Sequence, residues 1–283
     1  MTRIDPLRRS FSLLLPLILG AACVPTDKGE DSAGAVDSGG ATEEDSGGGL
    51  TDEGGAGEGG DGGAPADCSG LTTVIWLGES GDDATHPVVM AAAALGITSP
   101  RISEHEDTLL EALAPGDVGL LIIDAPADVP DDETHDAIRA LRDAGVPIIV
   151  SLTDLHREPG VWGELFGVNG VDQWDERPIV PAAGASVDLF AGPSAFPAPL
   201  DPQSSGWAVN HHVLTLLGEG EVLARFDAAD SAEAAIVRTG GGQILFNGTF
   251  ATNYRYVDQD GDDRNDGMEL FINEISLMGN CGR

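Results

Sequence analysis

Acidic side chains recur at close intervals in one short stretch near the C-terminus, residues 258–269. Their spacing would let a curled loop direct five carboxylates at one centre, namely those of Asp258, Asp260, Asp262, Asp266 and Glu269. Several hard oxygen ligands are what Ca²⁺ prefers, and a final glutamate can close such a loop with both of its oxygens. The spacing therefore predicts a structural calcium site immediately before a last predicted helix at 268–278.

This stretch resembles the calcium loop of EF-hand proteins, in which acids stand at positions one, three, five, nine and twelve. It departs from that pattern at position six, where Asp263 replaces the usual glycine, and at position eight, where Asn265 replaces an aliphatic residue. No clear helix is predicted to enter the loop, and no second hand is there to pair with it. The alternative is a solvated turn in which Asp266 caps the last helix and Glu269 completes a capping box.

A second set of candidate residues lies at and after the end of a predicted strand at 146–152. Ser151, Asp154 and His156 combine a hydroxyl, an acid and an imidazole, which are the residue types of a hydrolytic site. Asp124, Asp154 and His156 are the corresponding candidates for a metal site. No glycine flanks Ser151 to allow the sharp turn that presents a nucleophile. We therefore predict a non-catalytic binding or structural domain, with hydrolysis as the alternative.

One cysteine, Cys23, closes an apolar segment that follows three arginines near the N-terminus. The small residues before it resemble the lipobox of bacterial lipoproteins, although Gly20 stands where leucine is usual. The resemblance implies that residues 1–22 are a signal peptide and that Cys23 carries a lipid anchor. The protein would then be held at the cell envelope, at the outer membrane in a Gram-negative organism. The alternative is an ordinary secretory signal cleaved near Ala22.

The other two cysteines, Cys68 and Cys281, stand at the two ends of the foldable part of the chain. In an exported protein they are expected to form a disulfide that clamps the first and last elements of the domain. The alternative is a pair of free thiols.

Composition separates a spacer from a folded domain. Residues 23–67 are rich in glycine and acids and contain no aromatic residue, so they are predicted to be a disordered tether. The whole chain has 48 acidic and 14 basic residues, a formal net charge of −34. This charge excludes nucleic acid as a partner and favours divalent cations or basic partners. Adaptation to a salty habitat would give the same composition.

Apolar runs in residues 68–283 alternate between strand and helix patterns. Buried strands are predicted at 72–78, 118–124 and 146–152, with helices at 87–95, 108–113 and 131–144. Later strands are predicted at 222–226, 234–238 and 243–246, and the last two are joined by a glycine-rich hairpin. This order predicts an α/β fold: an open, mostly parallel sheet with helices on both faces.

The order of elements over residues 72–250 resembles the class I glutamine amidotransferase-like fold, which is flavodoxin-like, and its ThuA-like relatives. The turn at 124–126 and the strand at 241–248 add to the resemblance. In the glutaminase members a catalytic cysteine follows the strand that residues 147–152 match. This chain has Val150-Ser151-Leu152-Thr153-Asp154 there, so the resemblance implies the fold without amidotransferase chemistry.

Overall fold

The computed structural model of this chain describes residues 66–78, 83–125, 130–152, 159–173, 175–202 and 211–281. All of them belong to a unit that spans Gly57–Arg283. The predicted lipidation site Cys23, most of the predicted tether, Asp154 and His156 lie outside the described residues. Among the helices that are described, none is long and apolar enough to cross a membrane.

The strands join in a single sheet. They are β1 (Thr73–Trp76), β2 (Arg101–Ser103), β3 (Leu120–Ala125), β4 (Ile148–Leu152), β5 (Val168–Gln173), β6 (Ile179–Pro181), β7 (His211–Leu216), β8 (Gly220–Phe226), β9 (Ala234–Thr239) and β10 (Ile244–Asn247). The main path runs β2-β1-β3-β4-β10-β9-β7-β5, and β6 and β8 attach through β9. The first five strands of that path are parallel, and β10 to β5 pair antiparallel. The parallel part has the strand order of flavodoxin-like folds, which confirms the predicted fold class.

The helices cover both faces of the parallel strands. They are α1 (Pro87–Ala94), α2 (Glu106–Leu113), α3 (Asp132–Asp143), α4 (Pro159–Phe166) and α5 (Asp266–Met278). Because side chains alternate along a strand, Ile122 and Ile149 pack with α1 and α5 on one face. Ile123 and Val150 pack with α2, α3 and α4 on the other face. The central strands are apolar on both faces for this reason.

The antiparallel part of the sheet was harder to predict from sequence. β5 and β6 fall in the Pro/Gly-rich stretch 168–202, where the sequence predicts short extra strands, and at the start of β7 it predicts only a strand or turn at His211 and His212. β7 begins with His211 and His212, both buried, and two adjacent histidines hide the apolar pattern of a strand. The hairpin between β9 and β10 is confirmed, since Gly240–Gly242 forms the connecting turn with positive φ at each glycine.

The predicted disulfide is confirmed. Cys68 and Cys281 are bonded, with their Cα atoms 5.1 Å apart across a sequence separation of 213 residues. The bond joins the segment before β1 to the turn that follows α5. It therefore closes a loop that contains every described helix and strand.

Replacing both cysteines with alanine is expected to lower the free energy of unfolding by about 2–4 kcal/mol, because the open chain gains conformational entropy when it unfolds. Urea unfolding of the double variant measures this loss. Wild-type protein treated with reductant is the control and should unfold at the same midpoint as the variant. Equal stability of the variant and the oxidised wild type would show that the clamp contributes nothing.

Candidate functional site

The acidic loop at 258–269 brings all five predicted metal ligands together at the start of α5. Carboxylate oxygens of Asp258, Asp260 and Asp262 lie within 4.8 Å of one another, and so do those of Asp260, Asp266 and Glu269. Asp260 belongs to both groups, so the two groups adjoin, and we call the five residues together the acidic loop site. This arrangement of oxygens could bind a metal ion.

The backbone of the loop is curled by its own carboxylates. Asp258 Oδ1 accepts from the Gly261 amide at 2.7 Å, and Asp262 Oδ1 accepts from the Arg264 amide at 2.8 Å. Asp263 has φ of 69°, the left-handed conformation for which position six of such a loop usually has glycine. Aspartate is one of the few other residues that adopt it readily. The departure at position six therefore does not prevent the loop from closing.

Two acids of the site are buried, although aspartate and glutamate are rarely buried without a partner. Asp266 is 0% exposed and Glu269 is 1% exposed. Asp266 Oδ1 accepts from the Gln259 amide at 3.2 Å, and Glu269 Oε1 accepts from Ser194 Oγ at 2.7 Å. Asp266 Oδ2 and Glu269 Oε2 have no hydrogen-bond partner within the described part of the chain. Asp266 and Glu269 form one of the two groups of acids together with Asp260.

Burial and mutual repulsion raise the pKa values of both buried acids. Burial is the larger cause for Asp266, and the carboxylates of Asp260, Asp258 and Asp262 raise its pKa further. Burial raises the pKa of Glu269 to about 7, again with the neighbouring acids adding to the effect. A cation at the centre would favour both charged forms. The site is therefore electrostatically unfavourable on its own and suited to a positive ion.

The cap of α5 differs from the predicted alternative. Asn265 is the N-cap residue, and its Oδ1 accepts from the Met268 amide at 2.6 Å. Asp266 is already the first helical residue, so the expectation that Asp266 caps the helix is wrong. Because Asn265 supplies the cap, the Asp266 carboxylate is left to face the acidic loop site.

A second group of buried polar residues lies at the carboxyl ends of the parallel strands. Asp124, Ser151 and Asn247 are register partners on β3, β4 and β10, so their side chains share one face of the sheet. His86, the N-cap residue of α1, and Glu274 of α5 contact this row from the helices that cover that face. We call these five residues the edge cluster.

The contacts within the edge cluster are short. His86 Nε2 lies 3.2 Å from Asp124 Oδ2, and Asn247 Nδ2 donates to Glu274 Oε2 at 2.9 Å. All five side chains are buried. Burial, together with a smaller effect of the charge of Asp124, raises the pKa of Glu274 to about 8. Glu274 is therefore mostly protonated at neutral pH.

The structure places only part of the predicted hydrolytic set. Ser151 is fully buried, and its register partner Asp124 is the residue that contacts His86. A hydrolytic triad requires the histidine, rather than the acid, beside the serine. Asp154 and His156 lie outside the described residues, so the hydrolytic set and the Asp124–Asp154–His156 metal set stay predictions.

Three members of the edge cluster were not candidates from sequence: His86, Asn247 and Glu274. His86 stands alone before Pro87, Asn247 ends an apolar strand, and Glu274 lies in a helix that would ordinarily expose it. The one available signal was position, because Asn247 ends its strand, and Asp124 and Ser151 are each one residue before the end of theirs.

Comparison with known proteins bears only on the fold of this chain. No family model and no curated protein matches this chain by sequence. Among solved structures, the N-terminal domain of mmIFT52 superimposes with a TM-score of 0.50 at 12% identity, covering 75% of this chain and 99% of that domain. A ThuA-like protein from Parabacteroides merdae gives a TM-score of 0.45 at 10% identity, covering 75% of this chain and 92% of that one. An exo-beta-1,4-mannosidase from Opitutaceae bacterium strain TAV5 gives 0.43 at 9% identity, covering 74% of this chain and 36% of that one.

Proposed function

We propose that this chain is a lipoprotein of the bacterial cell envelope whose folded domain is a non-catalytic binding or structural domain stabilised by Ca²⁺. The observation that carries the calcium proposal is the pair of buried carboxylate oxygens, Asp266 Oδ2 and Glu269 Oε2, that lie unpartnered in the acidic loop site. Buried charges in proteins are paired or coordinate metals. The proposed role of the ion is structural, because its ligands hold the first turn of α5.

The chemistry of the ligands favours calcium over other divalent ions. All five side chains offer carboxylate oxygen, and the described loop has no histidine or cysteine of the kind that zinc and copper prefer. Mg²⁺ requires near-ideal octahedral geometry and keeps several waters, whereas Ca²⁺ accepts six to eight oxygens in a flexible arrangement. In the proposed site Asp258, Asp260 and Asp262 bind from the exposed side and Glu269 closes the site from the helix.

Thermal unfolding with calcium and with chelator tests this proposal. At about 1,000 times the dissociation constant, an ion that binds only the folded protein adds roughly 4 kcal/mol of stability. For a domain of this size that is a rise in Tm on the order of 10 °C. Magnesium at the same concentration should give a much smaller rise. Equal Tm values in calcium and in chelator would show that the loop is a solvated turn that binds no calcium.

The membrane anchor is proposed on Cys23. Support comes from the small residues and the apolar segment before it, and from the acidic, glycine-rich stretch after it, which would space a domain away from a membrane. Radiolabelled palmitate supplied to expressing bacteria is expected to label the wild-type chain and not Cys23→Ser. Labelling of the variant would place the lipid on a residue other than Cys23, and export of an unlabelled wild type would favour an ordinary secretory signal.

A further inference from the structure

The edge cluster has polar atoms that its internal contacts do not use. These atoms are His86 Nδ1, Asp124 Oδ1, Ser151 Oγ, Asn247 Oδ1 and Glu274 Oε1, which have no hydrogen-bond partner within the described part of the chain. Most buried polar atoms in proteins have a partner, and leaving one without a partner destabilises the folded state. Five such atoms on five neighbouring residues leave hydrogen bonds that ordered water or a bound molecule would complete.

The position of the edge cluster in the sheet also favours a binding site. β1 lies between β2 and β3, so the chain leaves β1 toward one side of the sheet and later continues on the other side. Ligands of open α/β sheets bind at the carboxyl ends of the strands beside such a change of direction. His86 follows β1 and Asp124 belongs to β3, and their 3.2 Å contact spans this point.

The chemistry of the cluster limits what it could bind. It contains no arginine or lysine, and Asp124 would repel an anion. Asn247 uses its amide nitrogen on Glu274, so its oxygen is left to accept a hydrogen bond, as is Asp124 Oδ1. The net charge of −34 also raises the local concentration of cations and lowers that of anions.

We propose that the edge cluster binds a small polar molecule that presents several hydrogen-bond donors and carries no negative charge. The donors could be ammonium groups or hydroxyl groups, which meet the same acceptors. This site goes beyond the calcium proposal and is independent of the acidic loop site.

The test uses the purified full-length chain in saturating calcium at fixed pH, with three donor probes and one anionic probe. Ethanolamine and ethylenediamine supply ammonium donors, erythritol supplies only hydroxyl donors, and malonate is a dianion. We expect a donor probe to shift the imidazole NMR signal of His86, assigned with His86→Gln, with a dissociation constant on the order of millimolar. A shift with the amines alone would indicate an amine site, and a shift with erythritol would indicate a polyol site. Malonate should have no effect.

Two serine variants separate binding from packing. Ser151→Ala should weaken binding of the donor probe about threefold to tenfold, because one hydrogen bond to the probe is lost. Ser276→Ala is the matched control, since Ser276 is also a buried serine whose Oγ is unpartnered but lies outside the cluster. Two results would overturn the proposal: no donor probe shifts His86, or the shift survives unchanged in Ser151→Ala. Because calcium is saturating in every sample, either failure leaves the calcium result unaffected.

Discussion

Glu269→Gln is expected to weaken calcium binding roughly 100-fold or more, because it removes the carboxylate that would close the site from α5. The variant keeps the side-chain shape, and its amide oxygen can still accept from Ser194 Oγ, as Glu269 does at 2.7 Å. The loss of stability should therefore appear in calcium, where wild type and variant are compared by thermal unfolding. In chelator the variant should be at least as stable as the wild type, since a buried acid with a raised pKa has been removed.

If Glu269 acted only through packing, Glu269→Gln would not show this reversal between calcium and chelator. Glu111→Gln is the control, because Glu111 is an exposed glutamate of α2, remote in sequence from the acidic loop. It should leave both melting temperatures unchanged. If Glu269→Gln lowered the Tm equally in calcium and in chelator, the glutamate would act through packing and not through a metal.

Glu274→Gln is expected to stabilise the protein at alkaline pH and to reduce its loss of stability as the pH rises. Burial raises the pKa of Glu274 from 4.5 to about 8, so the folded protein holds a proton that the unfolded chain releases. Stability from this group is complete below pH 4.5 and is lost progressively up to pH 8. A shift of this size corresponds to at most about 5 kcal/mol. Glutamine can still accept from Asn247 Nδ2 and does not titrate.

Urea unfolding between roughly pH 5.5 and 8.5 measures this effect, since most other acids are already ionised in that range. Saturating calcium keeps the acidic loop site from contributing its own titration. The wild type should lose several kcal/mol over the range, and Glu274→Gln should lose clearly less. Parallel profiles for wild type and variant would show that Glu274 is ionised when the protein is folded. Glu111→Gln should follow the wild type at every pH.

The parallel half of the fold is predictable from sequence because its strands are buried on both faces. Short continuous apolar runs such as 118–124 are typical of strands buried on both faces, and glycines end the helices between them. The antiparallel half depends on long-range pairing, which local patterns do not encode. β7 shows this, because its buried His211 and His212 are polar residues that pairing with β5 places inside the protein.

The acidic loop site and the edge cluster also differ in how far local sequence predicts them. Every ligand of the acidic loop site lies within 12 consecutive residues, so its spacing is visible in the sequence. The edge cluster draws its residues from three strands and two helices, spread from His86 to Glu274. Only the register of β3, β4 and β10 shows that Asp124, Ser151 and Asn247 are neighbours. Glu274 was unpredictable because a glutamate within a helix is normally expected to face solvent.

Calorimetric titration of the metal-free protein with Ca²⁺ tests the central claim most directly. The two groups of acids share Asp260, and we therefore predict a single saturable site, with one ion bound per chain. Binding should disappear in a chain that carries both Asp260→Asn and Glu269→Gln, because Asp260 belongs to both groups of acids. Weak, unsaturable uptake of calcium by the wild type, equal to that of the double variant, would contradict the account.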